Sequence, residues 1–252
     1  MREDLVLFRY MRGLFWACIV SIMLLATPLV VLVTGITLQF TGPTSATYQE
    51  IGTTYDLTSF GLGMLILVSP IVALLFGTTA GSIDHQSGVL RDLVLTGRSR
   101  IGIVLRRIGA AAVWVFGSAI AALMLIFVIA LVLAPADGPL RLGDLAQLLG
   151  PLAIVLTTAL LLGAGLALLI GSRGPAIGAF FVFELVIDNI LQAIPKVGDV
   201  WTHVSLGRAV AELIASIDAT IDRPVWQPVI VLVGWCVVPL ALGIWRLSRR
   251  EL

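Results

Sequence analysis

Apolar runs and short polar stretches alternate along the whole chain. No charged residue stands between Arg12 and Glu50, between Asp56 and Asp84, between Arg107 and Asp137, or between Arg223 and Arg246. A membrane helix needs roughly 20 apolar residues at about 1.5 Å each. The pattern predicts spans over 14–38, 58–83, 108–133, 148–171, 175–194 and 225–245. Pro28 is expected to bend the first, which a membrane helix tolerates when neighbours satisfy the freed carbonyl. Gly77 and Gly81 form a GxxxG pair on the second, a face for close helix approach.

Between the second and third spans lies a polar island, Gly81 to Arg107. It carries Arg91, Arg98, Arg100, Arg106 and Arg107. Within it Val89, Leu90, Leu93 and Val94 recur at helical spacing, with Arg91 and Asp92 on the other side. The spacing predicts a short amphipathic helix along the inner membrane face. Residues 1–13 are patterned as well. Arg2, Arg9 and Arg12 share one helical stripe, and Leu7, Tyr10, Met11 and Leu14 share the opposite one. That reads as an interfacial helix with its basic groups towards lipid phosphates, or as a charged flank that orients the first span.

Charge distribution sets the topology. Twelve Arg fall in segments 1–13, 81–107, 172–175 and 246–252. Only Arg141, Lys196, Arg208 and Arg223 fall in the loops between. Lys and Arg accumulate on cytoplasmic loops, so both termini and the island are expected inside. The loops 39–57 and 134–146 and the segment 195–225 are expected outside. Inside 195–225, Ala209, Val210, Leu213, Ile214 and Ile217 recur at helical spacing, which predicts an amphipathic helix resting at the outer face or dipping into it. Trp16, Trp201, Trp226 and Trp245 fall near the expected interfaces.

Composition agrees. Of 252 residues, 59% are hydrophobic and 12% charged, against roughly 25% charged in soluble domains. The mean hydropathy is +1.06. A net charge of +1 gives no sign of a nucleic-acid partner. Cys18 and Cys236 lie inside apolar runs and read as small buried hydrophobes rather than a disulfide or a metal site.

Little chemistry is written in the chain. No GxxxxGK[ST], HExxH or GxSxG stretch occurs, so neither an ATP cradle nor a recognisable catalytic motif is present. His85 and His203 are too far apart in the chain to share a metal in the predicted topology. The exception to the apolar pattern is the fifth span, where Glu184 and Asp188 stand near mid-membrane, followed by Asn189 and Gln192. A charge there is costly and is kept for a reason, or it sits beside water. Two readings stand. One is a polar contact in a translocation path, with a cationic part of a substrate or with a proton. The other is a helix-to-helix hydrogen bond, or an outer end that reaches water early.

Six spans with both termini inside resemble a type-2 ABC transporter permease of the type V exporter-like fold. The island carries the resemblance most specifically, through Asp84, Ser87-Gly88, Leu90, Leu93, Thr96, Arg98-Ser99-Arg100 and Arg106-Arg107. The chain departs at Gly97, where proline is common, and at Arg91-Asp92, where glutamate and leucine are more usual. The resemblance implies a single all-α permease domain over 1–252, in a bacterial plasma (inner) membrane. It implies that residues 84–97 are a coupling helix seated in a groove of a separate ATPase subunit. The contact residues would be Asp84, Gly88, Val89, Leu90, Arg91, Leu93, Val94 and Arg98. It makes 1–13 the connecting helix and 195–225 outer re-entrant helices. Partners would be two ATPase copies, which bind ATP and Mg, a second permease copy of the same or another kind, and membrane lipid. The chain itself would be no enzyme and hold no cofactor. Its expected task is export of an amphipathic, lipid-, peptide- or drug-like substrate. The rival expectation is an ion-coupled secondary transporter using Glu184 and Asp188.

Overall fold

The computed structural model describes residues 27–41, 54–87, 100–133, 142–215 and 226–249. Nearly all of these residues are helical, and none of them forms a strand. The helices are α1 (Thr27–Thr41), α2 (Thr54–Ser87), α3 (Arg100–Leu133), α4 (Leu142–Ile170), α5 (Arg173–Ala193), α6 (Val197–Trp201), α7 (Leu206–Ala215) and α8 (Trp226–Arg249). Among the described residues, α2, α3, α4, α5 and α8 are long and apolar enough to cross a membrane. The chain is therefore built as a multi-pass helical membrane protein. In lipid every backbone polar group must find a partner inside its own segment, and the helix alone provides that for a single span. Side-chain hydroxyls follow the same rule. Thr79 donates to the Leu75 carbonyl at 2.8 Å, Ser118 to Trp114 at 2.9 Å and Thr158 to Ile154 at 2.9 Å.

The helices extend beyond the expected spans. α2 covers 58–83 but begins at Thr54 and runs to Ser87. Residues 84–87, expected in the coupling helix, are thus the last turn of α2, and 88–97 lie outside the described residues. α3 begins at Arg100, eight residues before the expected start. Charge marks where a membrane surface lies, not where a helix stops, and no proline interrupts 100–108. α4 begins at Leu142, inside the stretch expected as loop. It ends where Gly171 takes a positive φ of 84°, the left-handed backbone that closes helices, and the Gly171 N–H bonds to the Ala167 carbonyl. α1 ends at Thr41, and 14–26 of the expected first span fall outside the described residues, as does the 1–13 helix.

Glycines set how the bundle packs. A methyl group on Gly77 would stand 2.1 Å from the Leu160 carbonyl oxygen, and one on Gly81 2.5 Å from that of Ala164. From the other side, a methyl on Gly163 would stand 2.5 Å from the Leu74 oxygen. The GxxxG face of α2 is therefore a backbone-to-backbone seam with α4. Two residues along, Gly165 turns to the opposite face of α4, where a methyl would meet the backbone of Pro239 and Leu240 on α8 at 2.6 Å. One GAG triplet seats α4 between α2 and α8. Gly35 and Gly61 make similar, looser approaches among α1, α2 and α3, against Leu133, Ile126 and Val31.

The same contacts fix relative direction. Residues 77 and 81 of α2 meet 160 and 164 of α4 in rising order, so these two helices run the same way. Gly165 meets Leu240 and Leu168 meets Gly243, so α8 also runs that way. The C-terminal ends of α2, α4 and α8 share one end of the bundle, the end at which residues 88–99 follow α2 in the chain. There Arg246 donates to the Leu169 carbonyl, at the C-terminal end of α4, where a cation suits the helix dipole. Arg249 lies 4.3 Å above the Trp245 ring. Leu57, Leu62, Leu65, Ile66, Leu74, Ile126 and Leu156 fill the centre, fully buried. Val113, Ile120, Met124, Val128 and Val132 of α3 and Ile230, Val237 and Val238 of α8 face outward, as an acyl-chain surroundings would require.

Candidate functional site

The polar residues of α5 are brought together with the segment that follows. α5 is regular from Arg173 to Val182, widens into a π turn over Phe183–Ile187, and is regular again from Asp188 to Ala193. The Asp188 N–H reaches back five residues to the Phe183 carbonyl. Asn189 Nδ2 donates to the Leu185 carbonyl at 3.0 Å, which helps satisfy backbone that the wide turn loosens. Such turns are frequent at functional sites. No residue type in 183–187 announced it in the sequence.

α5 ends because Ile194 precedes Pro195 and is pushed to extended backbone, ψ 120°. Lys196 follows at φ 69°, a left-handed value rare outside glycine. The chain then doubles back. Gly198 bonds its N–H to the Ile194 carbonyl at 2.7 Å, and a methyl on Gly198 would stand 2.3 Å from the Gln192 carbonyl oxygen. Gly198→Ala is accordingly expected to pry α6 from the end of α5. Limited proteolysis of the purified protein checks this: cleavage within 194–205 is expected to speed up several-fold over wild type.

Asp188 is the anchor of the returning segment. It is 6% exposed. Trp201 Nε1 donates to its Oδ1 at 2.7 Å and Gln192 Nε2 donates to its Oδ2 at 2.5 Å. The Trp201 ring completes an aromatic trio with Phe183 and Trp235, with centroids 5.2 to 6.5 Å apart. Trp235 of α8 in turn donates from Nε1 to the Val204 carbonyl at 2.8 Å. Hydrogen bonds thus tie the segment 197–205 to α5 and to α8. Through Trp201 the carboxylate bonds α5 to α6.

Glu184 lies one π turn deeper. Its Oε2 is buried with no hydrogen-bond partner among the described residues. A methyl on Gly207 would stand 2.9 Å from its Oε1, so the carboxylate touches the first turn of α7. Ser205, one residue before α7, is 1% exposed, and its hydroxyl also lacks a partner among the described residues. α7 lays Leu206, Ala209 and Leu213 into the bundle and turns Gly207, Arg208 and Ala211 outward. Arg208 and Glu212 pair along the helix at 3.1 Å. The expected amphipathic helix is therefore present as Leu206–Ala215, packed on α8 by its apolar face. Ile214 and Ile217 lie outside what is described of side chains there.

The ATPase-contact set is not placed in the same way. Gly88, Val89, Leu90, Arg91, Leu93, Val94 and Arg98 lie outside the described residues. Asp84 is in the last turn of α2, with its side chain likewise outside them. Phe183, Trp235, Ser205 and Gly207 belong to the α5 site and carry no signal in the sequence. Trp201 falls near an expected interface by sequence, and only the fold shows its N–H reaching a carboxylate 13 positions back. Among the described residues no three of His, Cys, Asp and Glu gather as a metal site. Comparison with family models, with curated proteins and with solved structures finds no match for this chain.

Proposed function

We propose that the chain is the membrane-spanning permease subunit of an ATP-binding cassette transporter, driven by a separate ATPase. One observation supports the reading above the others. α2 and α3 have 34 residues each, about 51 Å at the helical rise, against a hydrocarbon core of about 30 Å. Both run unbroken past their apolar spans towards the short connector 88–99. A push on that connector is carried along two stiff rods into the bundle. The connector holds Gly88, Val89, Leu90, Leu93 and Val94, the last four as apolar anchors, with Arg91, Asp92 and Arg98 as rim charges, and Asp84 precedes it in the last turn of α2. Apolar anchors in a pocket ordinarily carry more binding energy than rim charges.

In this reading the connector and both termini are cytoplasmic, and the membrane is a bacterial plasma membrane. Two ATPase copies close on ATP and Mg and tilt α2 and α3. The path opens between this chain and a second permease copy, and an amphipathic, lipid-, peptide- or drug-like substrate moves outward. No catalysis is assigned to the chain itself. The test is purification from native membranes in mild detergent. An ATPase is expected to accompany the wild-type chain and to be lost from the Leu90→Glu, Leu93→Glu double variant, which still inserts. If the double variant keeps both the ATPase and transport, the proposal fails.

One observation favours a second reading, an ion-coupled transporter. Glu184 Oε2 is buried without a partner, as an ion-binding carboxylate would be before loading. Asp188 weighs against it, since both of its oxygens already accept hydrogen bonds. Ion-driven flux by the lone chain in proteoliposomes would favour this second reading over the first.

A further inference from the structure

The returning segment ends deep beside its neighbours. Gly207 touches Glu184, nine residues before the end of α5 at Ala193. Val204 accepts from Trp235, nine residues into α8 from Trp226. Two independent contacts therefore set the tip 202–207 about 14 Å below the far ends of both helices. α5 is 21 residues long, about 31 Å, close to the hydrocarbon thickness. The tip then lies near mid-membrane.

At that depth the tip exposes an imidazole and a charged pair beside Val204, which is 43% exposed. His203, Gly207, Arg208 and Ala211 all face outward from the bundle, and Arg208 pairs with Glu212 with 44% of its own side chain open. A guanidinium in acyl chains is strongly disfavoured. The N–H groups of 202–205 are all bonded to carbonyls of 198–201, so the turn itself asks for no solvent. A helix that starts there leaves its first N–H groups without helical acceptors. The hydroxyl of Ser205, at the position that would cap them, is buried and unpartnered among the described residues. Lipid satisfies neither the guanidinium nor those N–H groups, and the buried Ser205 hydroxyl meets neither lipid nor water.

We infer that the outward face of the tip and of α7 walls a water-filled vestibule, open at the end of the bundle opposite the 88–99 connector. Its floor is the exposed part of the turn, His203 and Val204, and Gly207, Arg208 and Ala211 line it. Water satisfies the first turn of α7 and the Arg208–Glu212 pair. The inference stands whether or not an ATPase drives the chain.

The experiment uses the full chain with Cys18 and Cys236 replaced by alanine, in proteoliposomes. Single cysteines are placed at Ala211 and His203 on the tip face, at Leu213 on the packed face, and at Val186 and Val233, which are level with the tip on the outer faces of α5 and α8. Each is treated with a charged, membrane-impermeant thiol reagent from either side and with a lipid-soluble maleimide. Ala211→Cys and His203→Cys are expected to react with the charged reagent from the end opposite the connector at least tenfold faster than Val186→Cys, Val233→Cys or Leu213→Cys. Val186→Cys and Val233→Cys are expected to react with the maleimide alone. Protection of Ala211→Cys and His203→Cys from the charged reagent would overturn the inference, placing lipid or protein against this face. Fast reaction of Val186→Cys and Val233→Cys would overturn it too, by putting the whole level above the membrane.

Discussion

Gly77→Ala is expected to separate α2 from α4 and to cut the yield of folded protein sharply, while Gly117→Ala leaves it unchanged or improved. The added methyl at position 77 would stand 2.1 Å from the Leu160 carbonyl oxygen and 3.0 Å from the Ala164 nitrogen. Both are backbone atoms of a packed helix, so no side chain can swing aside. The helices must part, and the loss of interdigitated contact along the seam follows. Overpacking of a tight core costs about 1–3 kcal/mol, occasionally more. Against a total stability of about 5–15 kcal/mol that is a large share. Gly163→Ala presses on the same seam from α4, 2.5 Å from the Leu74 oxygen, and is expected to behave alike. Gly117 on α3 has nothing within 4 Å of where its methyl would go. Thermal unfolding in detergent, followed by size-exclusion chromatography, measures the difference. A Gly77→Ala protein that melts with the wild type would mean that α2 and α4 do not meet as described.

Asp188→Ala is expected to release the segment 197–215 from the bundle without unfolding the spans. The substitution removes the acceptor of two hydrogen bonds at once and leaves the Trp201 N–H buried and unpaired. An unsatisfied buried polar group costs about 1–3 kcal/mol. Amide hydrogen exchange over 197–215 should rise about tenfold or more, since about 1.4 kcal/mol of local stability is one decade. Exchange in α2 and α4 should not move. Trp201→Phe keeps a ring in the trio with Phe183 and Trp235 but deletes the donor, and is expected to have a smaller effect in the same segment. Asp188→Asn keeps an oxygen for Trp201, and Gln192 can turn its own oxygen towards the new amide, so exchange close to wild type is expected. If Asp188→Ala exchanges like the wild type throughout 197–215, the carboxylate does not hold that segment.

The two carboxylates of α5 show how far sequence could reach. Their place along the helix was legible, because distance from the start of an apolar run is a count of residues at a fixed rise. Their surroundings were not. The sequence reading had them a turn apart on one helix face. The π turn between Phe183 and Ile187 changes that register, and it depends on how Asn189, Trp201 and Trp235 close around the loosened backbone. The helix 206–215 was legible from its apolar spacing. Its depth depends on Lys196 taking a left-handed φ and on Gly198 reaching the Gln192 carbonyl, neither of which leaves a periodic trace.

Hydrophobicity alone determined that this chain is helical and crosses a membrane several times, because uncharged runs of such length have no other way to satisfy their backbone polar groups in lipid. Which helices touch, which run alike and where the 197–215 segment comes to rest were decided by tertiary packing. A lipid-facing leucine and a core leucine read the same in a sequence, since both neighbours are apolar. Only backbone approach at Gly77, Gly163 and Gly165, and two indole hydrogen bonds from Trp201 and Trp235, break that degeneracy.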